Sequence, residues 1–362
     1  MECLIMDELN NIDITRVTNL NFKIPHRNWK QAFAEAFVLM TTAMPGEVIS
    51  IVGPTRAGKT ELLRQLGDAV CGVGHGQGDE QQIVSIELVN DDAHARFTFR
   101  SFILQALEIV RHPFYSSCFA DGWGDATVES RIERAREKTL NRALIRALIQ
   151  RKTRFLIIDE AQHMRYVSKQ TMAAVGVMDA LKSMAKKANV VLVIAGTYPI
   201  LEAINRSSHL EGRKYDIHLS RYHQTEDDLA EFLWILTNYD AVLELDKSLP
   251  SLVDCAELLY QGTFGCIGLV RAWLYHASAL AATRQKKVDL ALIKETMKSP
   301  MQLYSIADEI LTGETTLGIS PCSALKSAVE AEAPRIATGK KRKPGAKPFQ
   351  RKAKRFEAEN RV

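Results

Sequence analysis

Apolar residues follow two alternating rhythms along this chain. Trp29, Ala32, Phe33, Ala36, Phe37 and Met40 recur at spacings of three and four, which predicts a helix over 28–42. A short apolar run, Val48-Ile49-Ser50-Ile51-Val52, predicts a buried strand. Similar runs at Ile83–Leu88, Phe155–Asp159, Val190–Ala195 and Tyr215–Leu219 predict four more strands. Helical spacing returns between them, over 60–69, 99–110, 130–150 and 168–187. Strands alternating with helices imply an α/β fold, a parallel sheet covered by helices on both faces. From Thr225 to Ala282 the pattern is helical throughout, with a further short helix over 288–298.

The expected organisation is an N-terminal arm over 1–24, an α/β domain over 25–223, a small helical lid over 224–311 and a flexible tail over 312–362. Residues 111–128, with Pro113, Gly122 and Gly124, read as an irregular surface connection, and no internal repeat is visible.

Charge sharpens this division. The whole chain carries +4. Residues 334–362 hold eleven Lys/Arg and two Glu, a net of +9, so residues 1–333 carry −5. The basic character lies in a tail whose composition implies disorder. The six cysteines are scattered without a Cys-x-x-Cys pair, so neither a zinc site nor a disulfide framework is expected. No apolar run is long enough to span a bilayer, and the first residues lack the pattern of a secretory signal.

Chemistry enters at the strand ends. Gly53-Pro54-Thr55-Arg56-Ala57-Gly58-Lys59-Thr60 fits G-x-x-x-x-G-K-[ST] between a predicted strand and a predicted helix, the context a P-loop requires. Its backbone N–H groups suit phosphate oxygens, Lys59 the β- and γ-phosphates of ATP, and the Thr60 hydroxyl a Mg²⁺ ion. The strand Phe155–Asp159 ends in two carboxylates. Asp159 suits the magnesium, and Glu160 suits a general base acting on water.

Thr197, at the end of the next strand, is a candidate sensor of the γ-phosphate. A helix N-cap ahead of Pro199 explains the same residue. Arg213, and after it Arg206, are candidates for a transition-state contact to a neighbouring subunit. Arg271, on a helix opened by Gly265 and Gly268, is a candidate phosphate contact from the lid. A metabolic P-loop enzyme such as a kinase fits less well, because the Asp159–Glu160 pair suits water activation.

These residues together resemble the TnsC/TniB group of AAA+ transposition regulators. The resemblance rests on the P-loop, the run Ile157-Ile158-Asp159-Glu160-Ala161-Gln162-His163, the run Ile194-Ala195-Gly196-Thr197, and the Gly-x-x-Gly lid helix. It covers roughly 25–285, and Ile24-Pro25-His26 falls on the base side of the nucleotide. The resemblance implies an AAA+ P-loop NTPase that forms homo-oligomeric rings or filaments on duplex DNA. It implies that the protein links a TniQ-type target selector to a transposase and is reset by hydrolysis, in the cytoplasm of a bacterium and associated with its nucleoid. Other AAA+ switches, in replication initiation, clamp loading or repair, share the same motifs and form the alternative.

Duplex DNA needs phosphate-neutralising side chains. Candidates are Arg96, Thr98 and Arg100 after the second strand, with His94 beside them, and Arg165 and Lys169 after the carboxylate strand. Arg131, Arg134, Lys138, Arg142 and Arg146 form a stripe that reads as a solvated face paired in part with Glu133 and Glu137. No segment has the look of a base-reading helix. The tail has two competing uses, DNA phosphates or an acidic groove on the transposase with Phe349 and Phe356 as anchors.

Overall fold

The computed structural model describes residues 24–72, 79–88, 97–116, 126–167, 172–205, 214–320, 325–327 and 329. The α/β part contains α1 (Arg27–Thr42), β1 (Val48–Val52), α2 (Lys59–Cys71), β2 (Ile83–Glu87), α3 (Phe99–Ile109), α4 (Ala126–Arg134) and α5 (Glu137–Gln150). It continues with β3 (Phe155–Asp159), a 3-10 turn over Ala161–Val167, α6 (Met172–Ala188), β4 (Val191–Gly196), α7 (Ile200–Asn205) and β5 (Lys214–His218). A helical part follows: α8 (Glu226–Asp240), α9 (Ala256–Thr263), α10 (Ile267–Thr283), α11 (Leu290–Glu295) and α12 (Pro300–Thr316).

The five strands form one parallel sheet in the order β2-β3-β4-β1-β5. The interior strands β1, β3 and β4 are buried along their whole length, because helices cover both faces. Edge strands β2 and β5 expose part of theirs. Two apolar clusters flank the sheet. One joins Ile86, Leu107, Leu144, Leu181 and Ile194; the other joins Met40, Ile51, Leu66, Ile157 and Val193. A third, around Phe232, Leu259, Trp273 and Ile293, is the core of the helical part.

Two expectations from the apolar pattern need correction. The helix expected over 130–150 is two helices, parted at Ala135–Arg136, where Arg136 is extended with ψ 145°. No Gly or Pro marks the break. At the end of α4 the Arg100 guanidinium donates to the carbonyls of Ala135 and of Ile132, the latter also accepting the Ala135 N–H, so a distant side chain supplies donors that the next helical turn would have supplied. The second correction is α12, which crosses position 312, the expected start of the flexible tail. Its own start carries strong local signals. Ser299 and Gln302 form a capping box, and Pro300 stands in the first turn. Its later turns are held by burial of Ala307, Ile310 and Glu314.

Candidate nucleotide site

The P-loop sits where the parallel sheet directs it, between the C-terminal end of β1 and the start of α2. Helix α2 begins after Gly58, which is left-handed at φ 96°, and it has no side-chain cap. Its first N–H groups are thus open to an anion. Gly53 passes close under β5: a Cβ there would lie 2.5 Å from the Leu219 carbonyl oxygen. Only glycine fits that close approach of the loop to the residue that follows β5.

The charged groups converge on this loop. Lys59 is buried, and its Nζ donates to the carbonyls of Gly53 (3.1 Å) and Pro54 (2.8 Å). Burial pulls the Lys59 ammonium below its ordinary range, opposed by the nearby charges of Glu160, Glu309 and Asp159. Such an ammonium gains most from a phosphate. The Thr60 hydroxyl donates to Asp159 Oδ2 at 2.5 Å. That pair, 99 residues apart in sequence, offers two oxygen donors to one hard cation, the chemistry magnesium requires.

Glu160 follows at φ 52°, with its N–H on Asp159 Oδ1 (2.8 Å). Gln162 then orients two groups at once. Its amide nitrogen donates to Glu160, and its Oε1 accepts the Thr197 N–H at 3.0 Å. Gly196 is the residue that permits this, since a Cβ there would stand 2.9 Å from that oxygen. Sequence reasoning misses Gln162; its position two residues after Glu160 is the available signal.

The helical part meets the loop from the other side. A Cβ on Gly268 would lie 1.8 Å from the Arg56 carbonyl oxygen, so the start of α10 rests directly on the P-loop tip. Arg271 lines a cleft of about 300 Å³ together with Pro25, His26, Trp29, Arg56 and Tyr239. This cleft borders Ala57 and Gly58 and has the size and aromatic lining for a flat base. Burial pulls His26 down to about 4, so the ring is neutral at pH 7, with Nδ1 3.0 Å from the Tyr222 hydroxyl. Trp29 stacks on Phe33.

Other expected residues lie elsewhere or outside the described segments. Arg206, Arg213, Arg96 and Lys169 are outside them, and so are His94 and the tail over 334–362. Arg165 falls in the 3-10 turn after β3. Thr98 caps α3, its hydroxyl accepting the Ser101 N–H at 3.0 Å. Arg100 spends two donors on the end of α4. From the basic stripe, Arg142 and Arg146 line a groove of about 720 Å³ with Arg111, His112 and Arg151, and Arg131 stacks over the Phe114 ring.

Residues 43–204 match the family model described as an AAA domain. The fold is that of an AAA+ P-loop ATPase. The ORC1 protein of Aeropyrum pernix, solved in complex with DNA, is similar over 86% of this chain and 84% of its own, at 14% identity and a TM-score of 0.50. Cdc6p of Pyrobaculum aerophilum matches 86% of this chain and 86% of its own at 15% identity and a TM-score of 0.48. A Walker-type ATPase of Pyrococcus abyssi matches 84% and 76% at 15% identity and a TM-score of 0.47. No curated protein matches the sequence. Among the described residues, no helix is long and apolar enough to cross a membrane.

Proposed function

We propose that this AAA+ protein is an ATP-driven switch that assembles on duplex DNA. The observation that carries the nucleotide part is the Thr60–Asp159 contact beside a buried Lys59 and an oriented Glu160. Lys59 and the open N–H groups of α2 would hold the phosphates, with the loop Gly53–Thr60 wrapped around them. Thr60 and Asp159 would hold magnesium, whose charge offsets that of the phosphates. Glu160, aligned by Gln162, accepts a proton from the attacking water. Thr197 reports on the terminal phosphate, and Arg271 contacts the phosphates from the lid. Arg213, with Arg206 as the second choice, completes the site of a neighbouring copy, which makes turnover depend on assembly.

The resemblance of the motifs to the TnsC/TniB group supports a role in DNA transposition, between a TniQ-type target selector and a transposase. The alternative is a switch in replication initiation, and the A. pernix ORC1 protein with DNA is the comparison that favours it. Electron microscopy of the protein with random-sequence duplex and a slowly hydrolysed ATP analogue separates the two. Continuous rings or filaments along any duplex support the transposition reading. Isolated particles bound only to particular sequences support the initiator. Failure to bind duplex at all rejects both.

A further inference from the structure

The basic stripe on α5 plays no part in the nucleotide site. Arg142 and Arg146 are exposed, one helical turn apart. With Arg111 they line the groove of about 720 Å³ between α5 and the turn that follows α3. None of these three guanidiniums has an ion pair or a hydrogen bond among the described residues. The acids nearest to them are engaged elsewhere: Asp79 faces Arg151 at 3.9 Å, and Glu80 pairs with Lys152. Like charges one turn apart repel, so the groove favours an anion. It also offers apolar surface. Phe114 is 58% exposed, and the His112 and Tyr115 rings lie 5.1 Å apart. The His112 Nδ1 accepts the Phe114 N–H at 3.2 Å, which fixes the turn. Phosphate binding alone has no use for an exposed Phe, and a concave groove suits a narrow chain better than a duplex.

The chain itself holds a complementary segment. Residues 2–14 carry Glu2, Asp7, Glu8 and Asp13 with no Lys or Arg, and the apolar Leu4, Ile5, Leu9 and Ile12. They lie outside the described residues, and the position of the residues that follow sets where they start. Ile24 packs against the core of the helical part, and Asn28 donates to the carbonyls of Ser220 and Arg221, just past β5. The groove lies beside the start of β2, where the Gln81 N–H donates to the Arg151 carbonyl at 2.8 Å. β2 and β5 are the opposite edges of the sheet, about 19 Å apart across the strand spacings between them. An arm at one edge and a receptor at the other form a heterologous pair. Such a contact repeats from copy to copy into a ring or a filament.

We propose that residues 2–14 of one copy dock in the groove of the next. Their carboxylates meet Arg111, Arg142 and Arg146, and their Leu and Ile side chains pack on Phe114 and Tyr115. This rests on the reading of the protein as one that assembles, and it names a contact for that assembly. It needs neither nucleotide nor DNA.

A labelled peptide of residues 1–15, titrated without nucleotide or DNA and followed by fluorescence anisotropy, tests this. The titrant is the full chain with Asp7→Lys and Glu8→Lys, whose own arm does not compete. The peptide should bind, more weakly as salt rises, and adding Arg142→Gln and Arg146→Gln should weaken it by about tenfold. Sedimentation velocity then tests the pairing between copies. The full chain with Arg142→Glu and Arg146→Glu, and the chain with Asp7→Lys and Glu8→Lys, should each associate less than the wild type. Their mixture should regain the wild-type profile, because each arm then finds a groove of opposite charge. Failure of the peptide to bind, or binding unchanged by the Gln substitutions, overturns the proposal. If those substitutions weaken a random duplex and spare the peptide, the groove is a nucleic-acid site and the proposal is wrong. A wild type that stays monomeric while the peptide binds would place the arm on its own groove and overturn the contact between copies. Wild-type filaments on DNA from both charge-reversed chains would keep the assembly reading and overturn this contact. If Arg142→Glu with Arg146→Glu does not fold, the peptide titration decides alone.

Discussion

The two sides of the nucleotide site are built in opposite ways. The phosphate side comes from contiguous runs, Gly53–Thr60 and Asp159–Gln162, at the ends of strands that are buried along their whole length. The side facing it comes from residues far apart in the chain. Arg221 meets Glu314, and Tyr198 meets Gly313. Phosphate chemistry needs a particular backbone path, and a path is written in neighbouring residues. A packed helix needs only that two surfaces meet, which any distant pair of segments can supply. Loss of the first side should therefore remove chemistry from an intact fold, and loss of the second should remove stability.

The largest effect is expected on the phosphate side. Glu160→Gln should keep ATP binding and lower turnover by roughly 10²–10⁴-fold, measured as phosphate release, with the melting temperature unchanged. Hydrolysis at the wild-type rate would remove Glu160 from the role of base.

The second test strikes the opposite side. Arg221→Met strands the buried Glu314 carboxylate, which should cost about 3–5 kcal/mol in chemical denaturation. The double variant Arg221→Met, Glu314→Leu should recover most of that loss, because a buried ion pair gains little over apolar groups of similar volume. A double variant as unstable as the single one would show that Arg221 acts mainly through its bonds to backbone carbonyls.

The third concerns pH. His26 is neutral in the fold down to about 4, whereas the unfolded chain takes up that proton near 6.5. Between these values the unfolded state binds more protons, so this contribution is complete above about 6.5 and is lost as pH falls toward about 4. The full loss is about 3 kcal/mol. Comparing wild type with His26→Gln isolates this from the buried carboxylates, and parallel pH profiles for the two proteins would refute it.

The smallest expected effect is steric. Gly313→Ala places a methyl group against the Tyr198 ring and should cost about 1–3 kcal/mol by overpacking. Thermal unfolding at the wild-type midpoint would mean that α12 can shift freely.

Much of the α/β part is legible in the amino-acid sequence. The interior strands β1, β3 and β4 are visible because short, continuous apolar runs alternating with helical spacing suit strands buried on both faces. Lys59, Thr60, Asp159 and Glu160 are visible because each is fixed by position within a local motif. The break between α4 and α5 is not, since Ala135 and Arg136 are ordinary helix formers and the group that satisfies the end of α4 is the distant Arg100. The full extent of helix α12 is hidden as well, although Ser299-Pro300-Met301-Gln302 is a helix start written in sequence. The Gly, Ser and Thr residues around 312–320 hide it, because their weak helix propensity is overridden by tertiary burial of Gly313 and Glu314.

The sequence by itself determined the strand-turn-helix path of the P-loop, the carboxylate pair and the segregation of positive charge into the last 29 residues. Those depend on local backbone geometry and on composition. The tertiary structure alone decided that Thr60 meets Asp159, that Gly268 rests on Arg56, and that Gly313 packs on Tyr198. Each of these is a meeting of residues 99 or more positions apart, and packing rather than spacing brings them together.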